Sequence, residues 1–166
     1  RTVQATLLLT VCVAAEPARA GFIATYTFTG AAGDQATHPV DAQPTGATLA
    51  ALSRGSSLTA VSGANSFNSS GFTTSATPDL IGGFYQFAIT PDPDYIMTLS
   101  GLAFSERRSS TGVGRFELRT SLDSFATSIF LFDVPGNTAN RRHTIALPTS
   151  FQNLTSSVTF RLYGYD

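Results

Sequence analysis

Apolar and polar residues alternate most cleanly between Arg115 and Leu122. Phe116, Leu118, Thr120 and Leu122 fall on one side, and Arg115, Glu117, Arg119 and Ser121 on the other. A period of two is that of a strand with one buried and one wetted face. The surrounding stretch Leu102–Phe125 (LAFSERRSSTGVGRFELRTSLDSF) has a tight turn at Thr111-Gly112-Val113-Gly114. It reads as a hairpin, with the strand that ends in Arg107-Arg108 paired to the strand that begins at Arg115.

The same alternation appears at Phe22–Thr29, where Phe22, Ala24, Tyr26 and Phe28 share a face. It recurs in Phe84–Thr90 through Tyr85, Phe87 and Ile89, and in Val158–Tyr165 through Val158, Phe160 and Leu162. Ser128–Val134 is apolar on both faces and predicts an interior strand. Arg141–Leu147 is a further strand, and Tyr95–Ser105 another, with Gly101 marking a bulge. Pro91-Asp92-Pro93-Asp94 separates the latter from Phe84–Thr90, because proline cannot donate to a ladder. Gly30–Gly46 has no sustained period and reads as a long loop, with room for one short strand. Thr48–Ser53 and Ser57–Val61 read as weak strands separated by Arg54-Gly55, with one or two helical turns over Ala47–Leu52 as the alternative, and Ser62–Ser75 is a polar connection. Short strands with Gly, Pro and Asn punctuation predict an all-β domain: a β-sandwich, jelly roll or related barrel.

The chain has 166 residues and one domain's worth of core. Residues 1–20 stand apart. Arg1 precedes the apolar run Ala5–Ala15, and Ala18-Arg19-Ala20 follows as a small-x-small cleavage pattern. This is the form of a signal peptide, and the run is too short to span a bilayer. The domains expected are therefore a leader over 1–20 and a β-sandwich over 21–166. Arg1 in place of Met reads as a fragment at the N-terminus. Cys12 lies within the leader, so the exported chain carries no cysteine and uses no disulfide. From Gly21 on, eight arginines face ten acids, with no lysine. That balance gives no electrostatic case for nucleic acid or an anionic membrane as partner.

Candidate chemistry is sparse. No GxSxG, HExxH, CxxC, phosphate-binding loop or EF-hand pattern occurs. His38 and His143 are isolated and read as exposed. A glycosidase needs two carboxyls about 5–10 Å apart across a cleft, and the sequence does not place Glu106, Glu117 or Asp123 that way. A zinc site on the histidines would need carboxylates to complete it, and Asp34, Asp41, Asp92 and Asp94 lie in turns, where aspartate is common, and are weak candidates for calcium. Asn68 and Asn153 each begin a glycosylation triplet. The arginines are more informative. Arg107, Arg108, Arg115 and Arg119 cluster around the central turn, and guanidinium forks suit sugar hydroxyls, uronates or sulfates. Cross-strand pairing with Glu106, Glu117 and Asp123 is the plainer alternative. Tyr163 and Tyr165, near Arg161, read as a sugar-stacking platform.

Five segments together resemble one family: Tyr26–Asp34 (YTFTGAAGD), Val40–Pro44 (VDAQP), Phe104–Gly112 (FSERRSSTG), Phe116–Phe125 (FELRTSLDSF) and Thr159–Tyr165 (TFRLYGY). In order and over nearly the whole exported chain, they are similar to secreted bacterial proteins that carry a PEP-CTERM sorting domain. The resemblance implies an antiparallel, jelly-roll-like β-sandwich, export, sorting to the cell surface or exopolysaccharide layer, and no catalytic residues. Similar proteins continue past the last segment into a strand with an Asp-Asn pair, a linker and the anchor. Here the sequence stops at Asp166, so the sandwich is expected to lack its final strand and to leave a sheet edge open. The expected function is a non-enzymatic surface or matrix domain with extracellular polysaccharide as partner. A self-assembling matrix protein that uses the open edge is the alternative, and a secreted hydrolase is the least favoured.

Overall fold

The computed structural model describes residues 2–5 and 24–166. Most of the expected leader, with its cleavage pattern and Cys12, lies outside the described residues, as do Gly21, Phe22 and Ile23. Along the chain the strands are β1 (Thr2–Ala5), β2 (Ala32–Gly33), β3 (Thr37–His38), β4 (Ala47–Leu49), β5 (Leu52–Arg54), β6 (Thr59–Ala60) and β7 (Ser66–Ser70). The longer strands follow: β8 (Phe84–Pro91), β9 (Gly101–Arg108), β10 (Arg115–Thr120), β11 (Ser128–Asp133), β12 (Arg141–Ala146) and β13 (Val158–Tyr165). The protein is an all-β sandwich of two sheets. One runs β12-β9-β1-β7-β2, with β6 also on β7. The other runs β11-β10-β13-β8-β5-β3, with β4 also on β8. Neighbours are antiparallel except β2 and β7.

The alternation seen in sequence sets which residues fill the space between the sheets. Phe116 and Leu118 of β10, Phe160 and Leu162 of β13, and Tyr85, Phe87 and Ile89 of β8 are all buried. They meet Phe67, Leu102 and Phe104 of the facing sheet in one core. Aromatic rings dominate it: Phe87 stacks on Phe160 at 5.1 Å, and Phe160 on Phe151 at 5.7 Å. Each buried phenyl contributes about 1.5–3 kcal/mol relative to exposure. Ala24, Tyr26 and Phe28 alternate inward as expected, although their segment makes only an isolated bridge, Thr25 to Ala42, rather than a ladder.

Four expectations change. The central stretch is not a hairpin: β9 belongs to one sheet and β10 to the other. The connection Ser109–Gly114 crosses the sandwich, a step of about 10 Å. Arg108 holds that crossing, donating to the carbonyls of Ser109 (3.2 Å), Ser110 (3.4 Å) and Val134 (3.0 Å). β11 is an edge strand, not an interior one. Phe130 and Phe132 face the core, but Leu131 is 52% exposed. The polar connection Ser62–Ser75 contains β7, a sheet strand whose Ser66, Asn68 and Ser69 are buried. Asn68 is thereby shut away from glycosylation in the folded domain. The histidines are packed rather than free: His38 lies 4.5 Å from Phe28, and His143 lies 3.9 Å from Phe132.

Gly33 marks a close backbone-to-backbone approach in the N-terminal half. Its φ is +97°, and a Cβ there would sit 2.4 Å from the backbone nitrogen of Gly63. Neither backbone segment can move aside alone, because Gly63 N–H donates to the Ala32 carbonyl at 2.7 Å. Gly33→Ala should therefore destabilise the fold by more than about 2 kcal/mol in urea unfolding. A loss below about 0.5 kcal/mol would show that the two segments separate easily.

Candidate functional site

Register places one set of side chains on the outer face of the larger sheet. Asp133 and Leu131 of β11 lie opposite Arg115 and Glu117 of β10. Those two lie opposite Tyr165 and Tyr163 of β13, and Arg119 lies opposite Arg161. Tyr163 and Arg161 in turn lie opposite Phe84 and Gln86 of β8. Side chains on directly paired residues touch, so this face is a continuous layer of arginines, aromatics and acids.

Its centre is closed by its own contacts. The Arg161 guanidinium carbon sits 4.2 Å from the Phe84 ring centroid and 4.0 Å from that of Phe125, a cation held between two phenyl faces. Its Nε donates to Gln86 at 3.1 Å. Phe125 reaches the face because Ser124 and Phe125 both have positive φ, which turns the chain back after the 3₁₀ turn Ser121–Asp123. Asp123 secures that turn by accepting from the Ala126 and Thr127 amides and the Thr127 hydroxyl. Arg119 secures it from below, donating to the carbonyls of Phe125 (2.9 Å) and Ala126 (3.0 Å) and pairing with Glu117. The Tyr165 hydroxyl donates to Glu117 at 3.2 Å. Burial, and then the Glu117 charge, raise the Tyr165 pKa.

The six residues expected to bind sugar therefore separate. Tyr163 is fully buried and Tyr165 only 3% exposed, so neither offers a ring face to solvent. Arg119 is engaged by the Phe125 turn. Arg107 and Arg108 are on the other sheet. Arg115 remains at the surface, its Nε 2.7 Å from Asp133, with 35% and 75% of the two side chains exposed. Leu131, exposed, is the next outward residue on β11. The accessible part of the layer is thus its β10–β11 end: a guanidinium, a carboxylate and an apolar side chain on paired strands.

The ion pairs differ from the expected set. Glu106 pairs with Arg141 rather than with the arginines of β10, and Arg115 takes Asp133. Of the calcium candidates, Asp41 accepts from the Thr27 amide and Asp92 from the Thr48 hydroxyl at 3.0 Å, both tying down loops. Among the described residues no group of three or more His, Cys, Asp or Glu side chains is close enough to hold a metal ion. None of the helical segments described is long and apolar enough to cross a membrane.

Sequence reasoning missed Arg54. At the end of β5 it points between the sheets and donates to the Ser69 hydroxyl (2.7 Å) and to the carbonyls of Gln35 (2.5 Å), Gly33 (2.7 Å) and Asn68 (2.8 Å). It also lies 3.6 Å above the Phe67 ring. No family model matches the chain, and no curated protein or solved structure is significantly similar to it.

Proposed function

We propose that this chain is an exported, non-enzymatic β-sandwich of the kind that carries a PEP-CTERM sorting domain. In this reading it works at the cell surface or in the extracellular matrix and contacts polysaccharide through the β10–β11 end of its outer sheet face. The resemblance of the five segments and the leader pattern support the export reading. The observation that carries the binding reading is the exposed Arg115–Asp133 pair beside exposed Leu131. A guanidinium and a carboxylate side by side donate to and accept from neighbouring sugar hydroxyls, and the guanidinium also takes a uronate or sulfate. Leu131 offers an apolar contact for the C–H face of a ring. All three stand on strands, which fix their spacing better than loops would.

Replacing Arg115 and Asp133 together by alanine tests this. The pair is solvent-exposed, so unfolding stability should change by less than about 1 kcal/mol. Binding to a uronate-bearing polysaccharide should weaken at least about tenfold, the effect of losing one charged hydrogen bond. Unchanged binding by the folded variant would sink the reading.

A self-assembling matrix protein is the second reading, and the edge position of β11 favours it. An edge strand with an outward Leu131 is a template for pairing with another copy. Concentration-dependent oligomers that ignore polysaccharide would support it.

A further inference from the structure

The smaller sheet holds a strand drawn from the leader. The backbone of β1 runs antiparallel to both neighbours: Thr2 to Ala5 oppose Ser70 to Phe67 of β7, and Val3 and Gln4 oppose Arg108 and Arg107 of β9. All four residues precede Ala18-Arg19-Ala20. Without them β7 and β9 face each other across one strand's width, roughly 10 Å. Two facing rows of backbone N–H and C=O groups then lack partners, and another extended backbone is what satisfies both rows at once.

The slot also carries side-chain preferences. Phe67 belongs to the core, so the position opposite it faces inward. The next position lies between Asn68 and Arg107 on the other face. Asn68 is fully buried and gives its amide N–H to the Ser62 carbonyl at 3.1 Å, but its Oδ1 has no hydrogen-bond partner among the described residues. A buried acceptor without a donor is costly. An amide or hydroxyl side chain at that position supplies the donor and can accept from Arg107.

We infer that in the exported chain the slot between β7 and β9 is a strand-acceptor site for an extended segment of a partner polypeptide. That segment is small or apolar where it meets Phe67 and amide- or hydroxyl-bearing where it passes between Asn68 and Arg107. The inference rests on the export reading only for the event that empties the slot. It adds a protein partner on the sheet opposite the proposed sugar face.

The test uses the full chain with Val3→Pro and Ala5→Pro, which disable β1 as a paired strand. The probe is a fluorescent synthetic peptide with the sequence of residues 1–8. The folded variant is expected to bind it one-to-one, slowing amide exchange in Phe67–Ser70 and Arg107–Arg108, whereas the unsubstituted chain does not bind. Asn68→Ala in the proline background should weaken the complex. No binding by the folded variant, or equal binding by both chains, overturns the proposal. So does a variant that fills the slot by dimerising and resists the peptide. Should the variant not fold, a protease site placed after Ala15 of the full chain allows cutting in the folded state. The labelled peptide should then replace the cut segment, and its failure to do so in excess counts equally against the site. Each outcome is independent of glycan binding and of whether the leader is cleaved in the cell.

Discussion

Arg54→Met is expected to destabilise the protein by roughly 3–5 kcal/mol, because each hydrogen bond from a charged donor is worth about 1.5–3 kcal/mol and several are lost together. Methionine matches the arginine stem in size and keeps an apolar contact with Phe67. It removes the guanidinium from which three carbonyls and the Ser69 hydroxyl now accept, and leaves the Asn68 carbonyl with the Val61 amide at 3.2 Å. Those acceptors come from β2, β7 and the Asp34–Gln35 loop, so one side chain on β5 ties the larger sheet to the smaller. Arg54→Lys should recover only part of the loss, because an ammonium cannot reproduce a planar fork that serves four acceptors. The measurement is the urea midpoint at constant slope. A loss under about 1 kcal/mol for Arg54→Met would mean that water replaces the guanidinium, and that the sheets are held by the aromatic core alone.

Glu106→Ala should cost a similar amount, about 3–5 kcal/mol. Glu106 is fully buried on β9, beside the edge strand β12. Arg141 clasps it with two bonds, Nε to Oε1 at 2.6 Å and Nη2 to Oε2 at 3.0 Å, and the His143 Nε2 lies 3.4 Å from Oε1. Removing the carboxylate leaves the Arg141 charge partly buried and without its main partner. The same cluster sets an acid limit. Burial alone would raise the Glu106 pKa, but hydrogen bonds from His143 and Arg141 and their charges outweigh it and hold the pKa below the usual range. A depressed folded-state pKa gives stability that is full above the unfolded value of about 4.3 and is lost as pH falls through the folded value. Wild type and Glu106→Gln should therefore differ most at neutral pH and converge in acid. A gap that stayed constant from pH 7 down to pH 2 would contradict the linkage.

Much of the architecture was legible because burial imposes a period of two on every long strand. Phe116 and Leu118, Phe160 and Leu162, and Tyr85, Phe87 and Ile89 each announced both a strand and its inward face. Partner choice was not legible. The alternation around Arg115 is the same whether the preceding strand lies beside it or on the opposite sheet. Only the Ser109–Gly114 crossing, held by Arg108, distinguishes the two. The β7 strand was hidden for the reverse reason. Its serines and asparagine look like a loop locally, yet their partners are Gly63, Ser62 and Arg54, and no local period records them. Arg54 read as an interruption between weak strands because its function depends on four residues 14 to 21 positions away.

The candidate site was half legible for related reasons. Arg115, Glu117 and Arg119 were correctly placed on one face of β10. Accessibility at the Arg119 end depends on Phe125, which a turn with two consecutive positive-φ residues folds over Arg161 and toward Arg119. Tyr163 and Tyr165 alternate outward, as expected of an open platform. Phe84 packs against Tyr163 at 5.3 Å, and the Tyr165 hydroxyl is drawn to Glu117. An outward position is therefore not the same as an exposed one, and the sugar-binding reading contracts to Arg115, Asp133 and Leu131.

Amide hydrogen exchange on the full chain, with and without a uronate-bearing polysaccharide, tests that reading most directly. Protection is expected in the segments that contain Arg115–Thr120 and Ser128–Asp133, with little change in β9 and β12. Protection confined to β9 and β12, or none at a polysaccharide concentration that binds the protein, would contradict it.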